Sequence, residues 1–71
     1  MLVRNQSLFD LLRQAEACLT LAKVDSPHLS AELLMAHALN VDRLWVLTHP
    51  NQVVGPKEVA LFFFLVNSIM Q

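Results

Sequence analysis

The stretch DSPHLSAELLMAHALNVDRLWVLTHP, from Asp25 to Pro50, constrains the fold more than any other part of the chain. It holds a helix start, an apolar helix, a stop, a second start and a proline stop in close succession. Ser26-Pro27 suits an N-cap followed by the first helical position, where no backbone N–H is needed. Leu29-Ser30 is the alternative start. The helix ends near Leu39, and Asn40 suits a left-handed C-terminal stop. Leu29, Leu33 and Ala36 form one apolar face, Ala31, Leu34 and Ala38 another, with Met35 and Leu39 between them. A helix apolar nearly all round is packed on several sides, so this one is central. Its single carboxylate, Glu32, belongs at the surface or beside a cation. Asp42 then caps a short helix from Arg43 to about Thr48. His49-Pro50 closes it, because proline disfavours helix at the residue before it.

Two further helices flank this unit. Ser7 to Ala22 places Leu8, Leu11, Leu12, Ala15, Leu19 and Ala22 on one stripe, with Asp10, Arg13, Gln14 and Glu16 off it. Ser7 is its cap. Asn51 to Gly55 reads as a loop with room for one helical turn. Pro56 opens the last helix, which runs to about Met70. Its core face is Val59, Phe62, Phe63, Val66, Ile69 and Met70. A second apolar group, Leu61, Phe64 and Leu65, faces away from that stripe. One helix of a small bundle cannot bury both faces inside its own domain. The fold expected is therefore all-α, a single domain over residues 1–71 built as a small bundle of four to five helices.

Composition narrows the function classes. The chain is 55% hydrophobic and only 15% charged, too apolar for disorder and more apolar than a small domain buries easily. Part of that surface is expected to meet a partner or a second domain. The net charge of -1 and the scattered cations Arg4, Arg13, Lys23, Arg43 and Lys57 argue against nucleic acid, including a helix-turn-helix reading of the two middle helices. The longest apolar run, Val59 to Val66, is far short of the ~20 residues that span a bilayer. No signal peptide precedes Asp10, and a lone cysteine forms no internal disulfide, so a cytoplasmic protein is expected.

No catalytic constellation emerges. A single glycine, Gly55, excludes a glycine-rich phosphate loop. His28, His37 and His49 lack the spacing of metal ligands. His37 reads as a hydrogen-bonded structural histidine, and Cys18 as a small buried hydrophobe. Asp10, Glu16, Asp25, Glu32, Asp42 and Glu58 read as caps and solvated faces. Trp45 admits two readings: an anchor of the short helix in the core, or part of a protein-binding surface with Arg43 and His49. Leu61, Phe64 and Leu65 pose the same choice, and their two-faced pattern favours an interface.

The order of these signals resembles the N-terminal domain of the release-factor glutamine methyltransferases, the PrmC/HemK family. The resemblance rests on Asp25-Ser26-Pro27, Leu29, Ala31-Glu32-Leu33-Leu34, Ala36-His37, Leu39, Asp42-Arg43, Trp45 and His49-Pro50. It continues through Pro56, Glu58, Phe62 and Leu65-Val66. It implies a helical domain that helps dock peptide chain release factors beside a Rossmann-like catalytic domain. That second domain would carry the Asn-Pro-Pro-Tyr motif and bind S-adenosylmethionine. Neither motif occurs here, so the resemblance carries over no catalytic, cofactor-binding or metal residue, and this chain alone is expected to be no enzyme. The last helix departs from the family pattern. It reads Leu61-Phe62-Phe63-Phe64 where relatives are more polar, it lacks their arginine pair, and Gly55 stands in place of a polar cap. The extra apolar surface leaves open self-association through that helix, and with it the alternative reading of a stand-alone helical interaction or dimerisation module with Leu61, Phe64 and Leu65 as its interface.

Overall fold

A computed structural model describes residues 6–70, and Arg4, one of the scattered cations, lies outside them. The helices are α1 (Leu8–Leu21), α2 (Pro27–Leu39), α3 (Arg43–Thr48) and α4 (Pro56–Met70). Two short strands, β1 (Gln6–Ser7) and β2 (Val53–Val54), pair antiparallel, Gln6 opposite Val54 and Ser7 opposite Val53. The expected helical bundle is borne out. Between Asn51 and Gly55, read from the sequence as a loop with room for one helical turn, the chain instead forms β2 at Val53–Val54. Its reason lies in α1, whose first backbone N–H groups have no partner within the helix. Leu8 N–H donates to the Gln52 carbonyl at 2.8 Å and Phe9 N–H to that of Pro50 at 3.0 Å.

The local signals act where the sequence puts them. Ser7 caps α1, its hydroxyl accepting from Asp10 N–H at 3.3 Å. Asp42 caps α3, its carboxylate accepting from Trp45 N–H at 2.8 Å. Asn40 stops α2 in the left-handed conformation, at φ 58. Pro27 takes the first helical position of α2, but Ser26 before it is itself left-handed and its side chain does not cap. Lys23, also left-handed, ends α1, and Val24 N–H turns back to the Leu19 carbonyl at 3.0 Å.

The core is one cluster. Leu8, Leu11, Leu12, Ala15 and Leu19 of α1 meet Ala31, Met35, Ala36 and Ala38 of α2, Val46 of α3 and Phe62 and Val66 of α4. Helix α2 is central, packing on α1, α3 and α4. It does so through its alanines, which let neighbouring helices approach closely, and the large Leu29 and Leu33 are left exposed. That corrects the expectation that both of its apolar faces are buried. On α4, Leu65 packs against the core instead of facing away, because it lies only about 60° round the helix from Phe62. Ile69 is exposed, and Met70 reaches the core in its place. Cys18 and His37 are both exposed, against the buried and hydrogen-bonded positions expected of them. Each falls on the outer side of its helix.

Glu32 is the one polar residue in the core among the described residues, at 2% exposure. Arg43 Nε of α3 donates to its Oε1 at 2.8 Å. His28 Nε2, one turn earlier on α2, lies 2.7 Å from its Oε2. The other ring nitrogen of His28 is 3.0 Å from Glu16 Oε2 on α1. This carboxylate thus ties α2 to α3 directly, and His28 extends the tie to Glu16 of α1. Burial of an ion is tolerated only when both of its oxygens are met, and removing a partner costs more than the pair itself contributes.

Two stability predictions follow from this packing. Phe62 is fully buried, and Phe62→Ala should cost about 3–5 kcal/mol, comparable to the whole stability of a domain this small. Circular dichroism should find that variant largely unfolded at room temperature. Arg43→Met should lower the urea midpoint, with a loss of about 1–3 kcal/mol. The double variant Glu32→Met/Arg43→Met should recover most of it, since no charge is then left buried.

Candidate protein-binding surface

Helix α3 is too short to hold itself, and its cap and Val46 fix it to the bundle. Trp45 is half-buried against the core, with one ring face stacked on His49 at 4.0 Å between centroids and 8° between planes. His49 Nδ1 is 2.7 Å from the Trp45 carbonyl oxygen, which fits a proton on that nitrogen. Thr48 Oγ1 donates within the same turn, to the Leu44 carbonyl at 3.0 Å. The stacked pair is therefore held rigidly at the end of α3. Trp45 anchors the helix, as the first sequence reading has it, and keeps part of its indole accessible.

Beside it runs a groove of about 440 Å³, walled by Asn40, Trp45, Gln52, Val53, Gly55 and Glu58. Val53 is exposed on β2, and Gly55 lines the groove near it. A Cβ added at Gly55 would lie 3.0 Å from Glu58 Oε1, so a larger residue there would crowd that side chain. A second groove of about 270 Å³ lies between α1, α2 and α3, with Phe9, Leu12, Val46 and Leu47 on its walls and Glu16, His28 and Glu32 at one end.

The six residues singled out from sequence fall in two places. Arg43 and Trp45 sit on α3 and His49 at its C-cap, though the Arg43 guanidinium is engaged with Glu32. Leu61 and Phe64 are exposed on α4, Phe64 by 66%, while Leu65 turns inward. Gln52, Val53 and Glu58 complete the Trp45 groove and were missed. No local signal marks them, because they come beside Trp45 only in the folded domain, Gln52 and Val53 at β2 and Glu58 in the first turn of α4. Among the described residues no group of three or more His, Cys, Asp or Glu could hold a metal ion, and no helix is long and apolar enough to cross a membrane.

Comparison with known proteins sharpens the picture. The family model described as the PrmC N-terminal domain matches residues 10–71. A release factor glutamine methyltransferase of Nitratidesulfovibrio vulgaris is 40% identical over 62 residues, 87% of this chain and 21% of that protein. Its counterpart in Deinococcus radiodurans is 45% identical over 49 residues, 69% of this chain and 18% of that protein. The Aliivibrio fischeri enzyme is 36% identical over 56 residues, 79% of this chain and 20% of its own length. The chain thus spans about a fifth of the curated relatives it matches. No solved structure matches it. With a family match that takes in all of α2, α3, β2 and α4 and nearly all of α1, the chain belongs to the PrmC N-terminal domain family.

Proposed function

We propose that this chain is the substrate-recognition domain of a release factor glutamine methyltransferase and docks a peptide chain release factor through the α3–β2 surface. The observation that carries the reading is the family match over residues 10–71, together with relatives named for that activity. The whole enzyme would transfer a methyl group from S-adenosylmethionine to the glutamine of the release factor's Gly-Gly-Gln motif, in the cytoplasm. The residues here do not fit that cofactor: the single glycine, Gly55, stands alone rather than in a glycine-rich loop. Cofactor binding and methyl transfer are therefore assigned to the rest of a longer protein.

This domain's contribution is positional. A docked release factor loses translational and rotational freedom before its glutamine reaches the distant active site. The α3–β2 surface suits that task physically. A rigid Trp–His stack gives contact area at low entropic cost, and tryptophan is enriched among the residues that dominate binding energy. The groove beside it is roomy enough for a large side chain of a partner. Arg43 contributes through Glu32, by holding α3 in place. The last helix serves a different contact, and residues 1–71 act as one helical domain.

Calorimetry with an unmethylated release factor tests the reading. Trp45→Ala and Val53→Glu should each weaken binding by roughly tenfold or more. Circular dichroism confirms that each variant folds, and exposed Val53 covers the case in which Trp45→Ala does not. Binding unchanged in folded variants would overturn the assignment of the surface. No heat at the highest soluble concentration would overturn the recognition role itself.

A further inference from the structure

The groove beside Trp45 draws negative potential from two sources. Glu58 is the one charged residue on its walls, and no cation pairs with it among the described residues. Its carboxylate folds back over the start of α4, where the bare Cα of Gly55 makes room for Oε1. The end of α2 forms another wall, through Ala38, Leu39 and Asn40. Asn40 N–H turns back to the Ala36 and His37 carbonyls, and Val41 N–H to that of Ala36. No described group donates to the carbonyls of Ala38 and Leu39, the last of the helix. Such carbonyls are the negative end of the helix dipole. The start of α4 opposes this with about half a positive charge, which the end of α2 offsets by about the same amount. The full charge of Glu58 then decides the sign, and the groove is negative. Arg43 is engaged with Glu32, and neither Lys57 nor His49 lines the groove.

From this arrangement we propose that the groove takes a basic side chain of the docked partner, an arginine in preference to a lysine. A guanidinium presents its N–H donors in one plane and has no acceptor. The groove supplies acceptors to match: the Glu58 carboxylate, the side-chain oxygen of Asn40 and the open carbonyls at the end of α2. Gln52 adds another, since its Nε2 donates to the Val53 carbonyl at 3.2 Å and its oxygen is left to accept. Trp45 supplies an aromatic wall, on which a guanidinium stacks and a compact, strongly hydrated ammonium does so less well.

This inference rests on the reading of the α3–β2 surface as the docking site and adds the chemistry of the residue that enters it. The same charge gives specificity. A neutral side chain of arginine's shape leaves Glu58 without a partner as water is displaced, and an acidic one is repelled.

The probes are two capped tripeptides, Gly-Arg-Gly and its citrulline counterpart, which keeps arginine's shape and loses its charge. In a nitrogen–proton NMR titration the arginine peptide should shift the Trp45 indole and Gln52 side-chain signals saturably at roughly millimolar concentration, and the citrulline peptide should need about tenfold more. Glu58→Gln should remove that preference while the fold persists by circular dichroism. With unmethylated release factor, the same variant should weaken binding about tenfold and flatten its dependence on salt. Equal shifts with both peptides, no shift with either, or a preference that survives Glu58→Gln would overturn the proposal. So would a release factor that binds Glu58→Gln as tightly as the unaltered chain. A selective arginine shift beside a release factor that does not bind would overturn the docking reading and support the arginine site.

Discussion

A carboxylate removed from water must have both oxygens met, and in this domain that requirement decides where α3 lies. Glu32 sits on the buried side of α2, with Arg43 on one oxygen and His28 on the other. Arg43 opens α3, so the ion pair fixes the start of that helix and the Asp42 cap fixes its direction. His28 extends the tie to Glu16 on α1. Without these links a six-residue helix would be held by its cap, buried Val46 and half-buried Trp45 alone. The position of Trp45, two residues after Arg43, follows from the same anchor. The pair that stabilises α3 thereby also sets where the proposed recognition surface lies.

Around this tie, α2 is packed through small residues. Ala31, Ala36 and Ala38 admit α1 and α4 closely, and Met35 fills the space between them. A bundle built this way buries little apolar area per helix. The excess appears outside as Leu33, Leu44, Phe64 and others, in a chain already short of volume for its surface. Such a surface is suited to contacts made after folding.

What could be read from the sequence was local. Ser7, Asp42, Asn40, Pro27 and Pro56 each act on backbone within a few residues, and each lies where the helix rules put it. The burial of Phe62 and Val66 also follows from the helical period. The misread positions were those where a distant neighbour decides. Leu29 and Leu33 are exposed because the alanines face the partners. Leu65 turns inward because α4 presents a wider face to the bundle than one stripe. β2 exists because the start of α1 needs acceptors. Part of the candidate site was visible for the same reason: Trp45 and His49 lie one turn apart, whereas Val53 and Glu58 come beside Trp45 only in the folded domain. The Glu32 pairing with a cation was foreseen, but its depth and its second link through His28 were not.

The central claim is that α3 and β2 form the recognition surface and the outer face of α4 does not. The most direct measurement is a nitrogen–proton NMR titration of the chain with unmethylated release factor, followed residue by residue. The account predicts that signals of Trp45, His49, Gln52 and Val53 shift or broaden first, and that Leu61 and Phe64 are unaffected. Changes confined to α4, with the Trp45 groove silent, would contradict it.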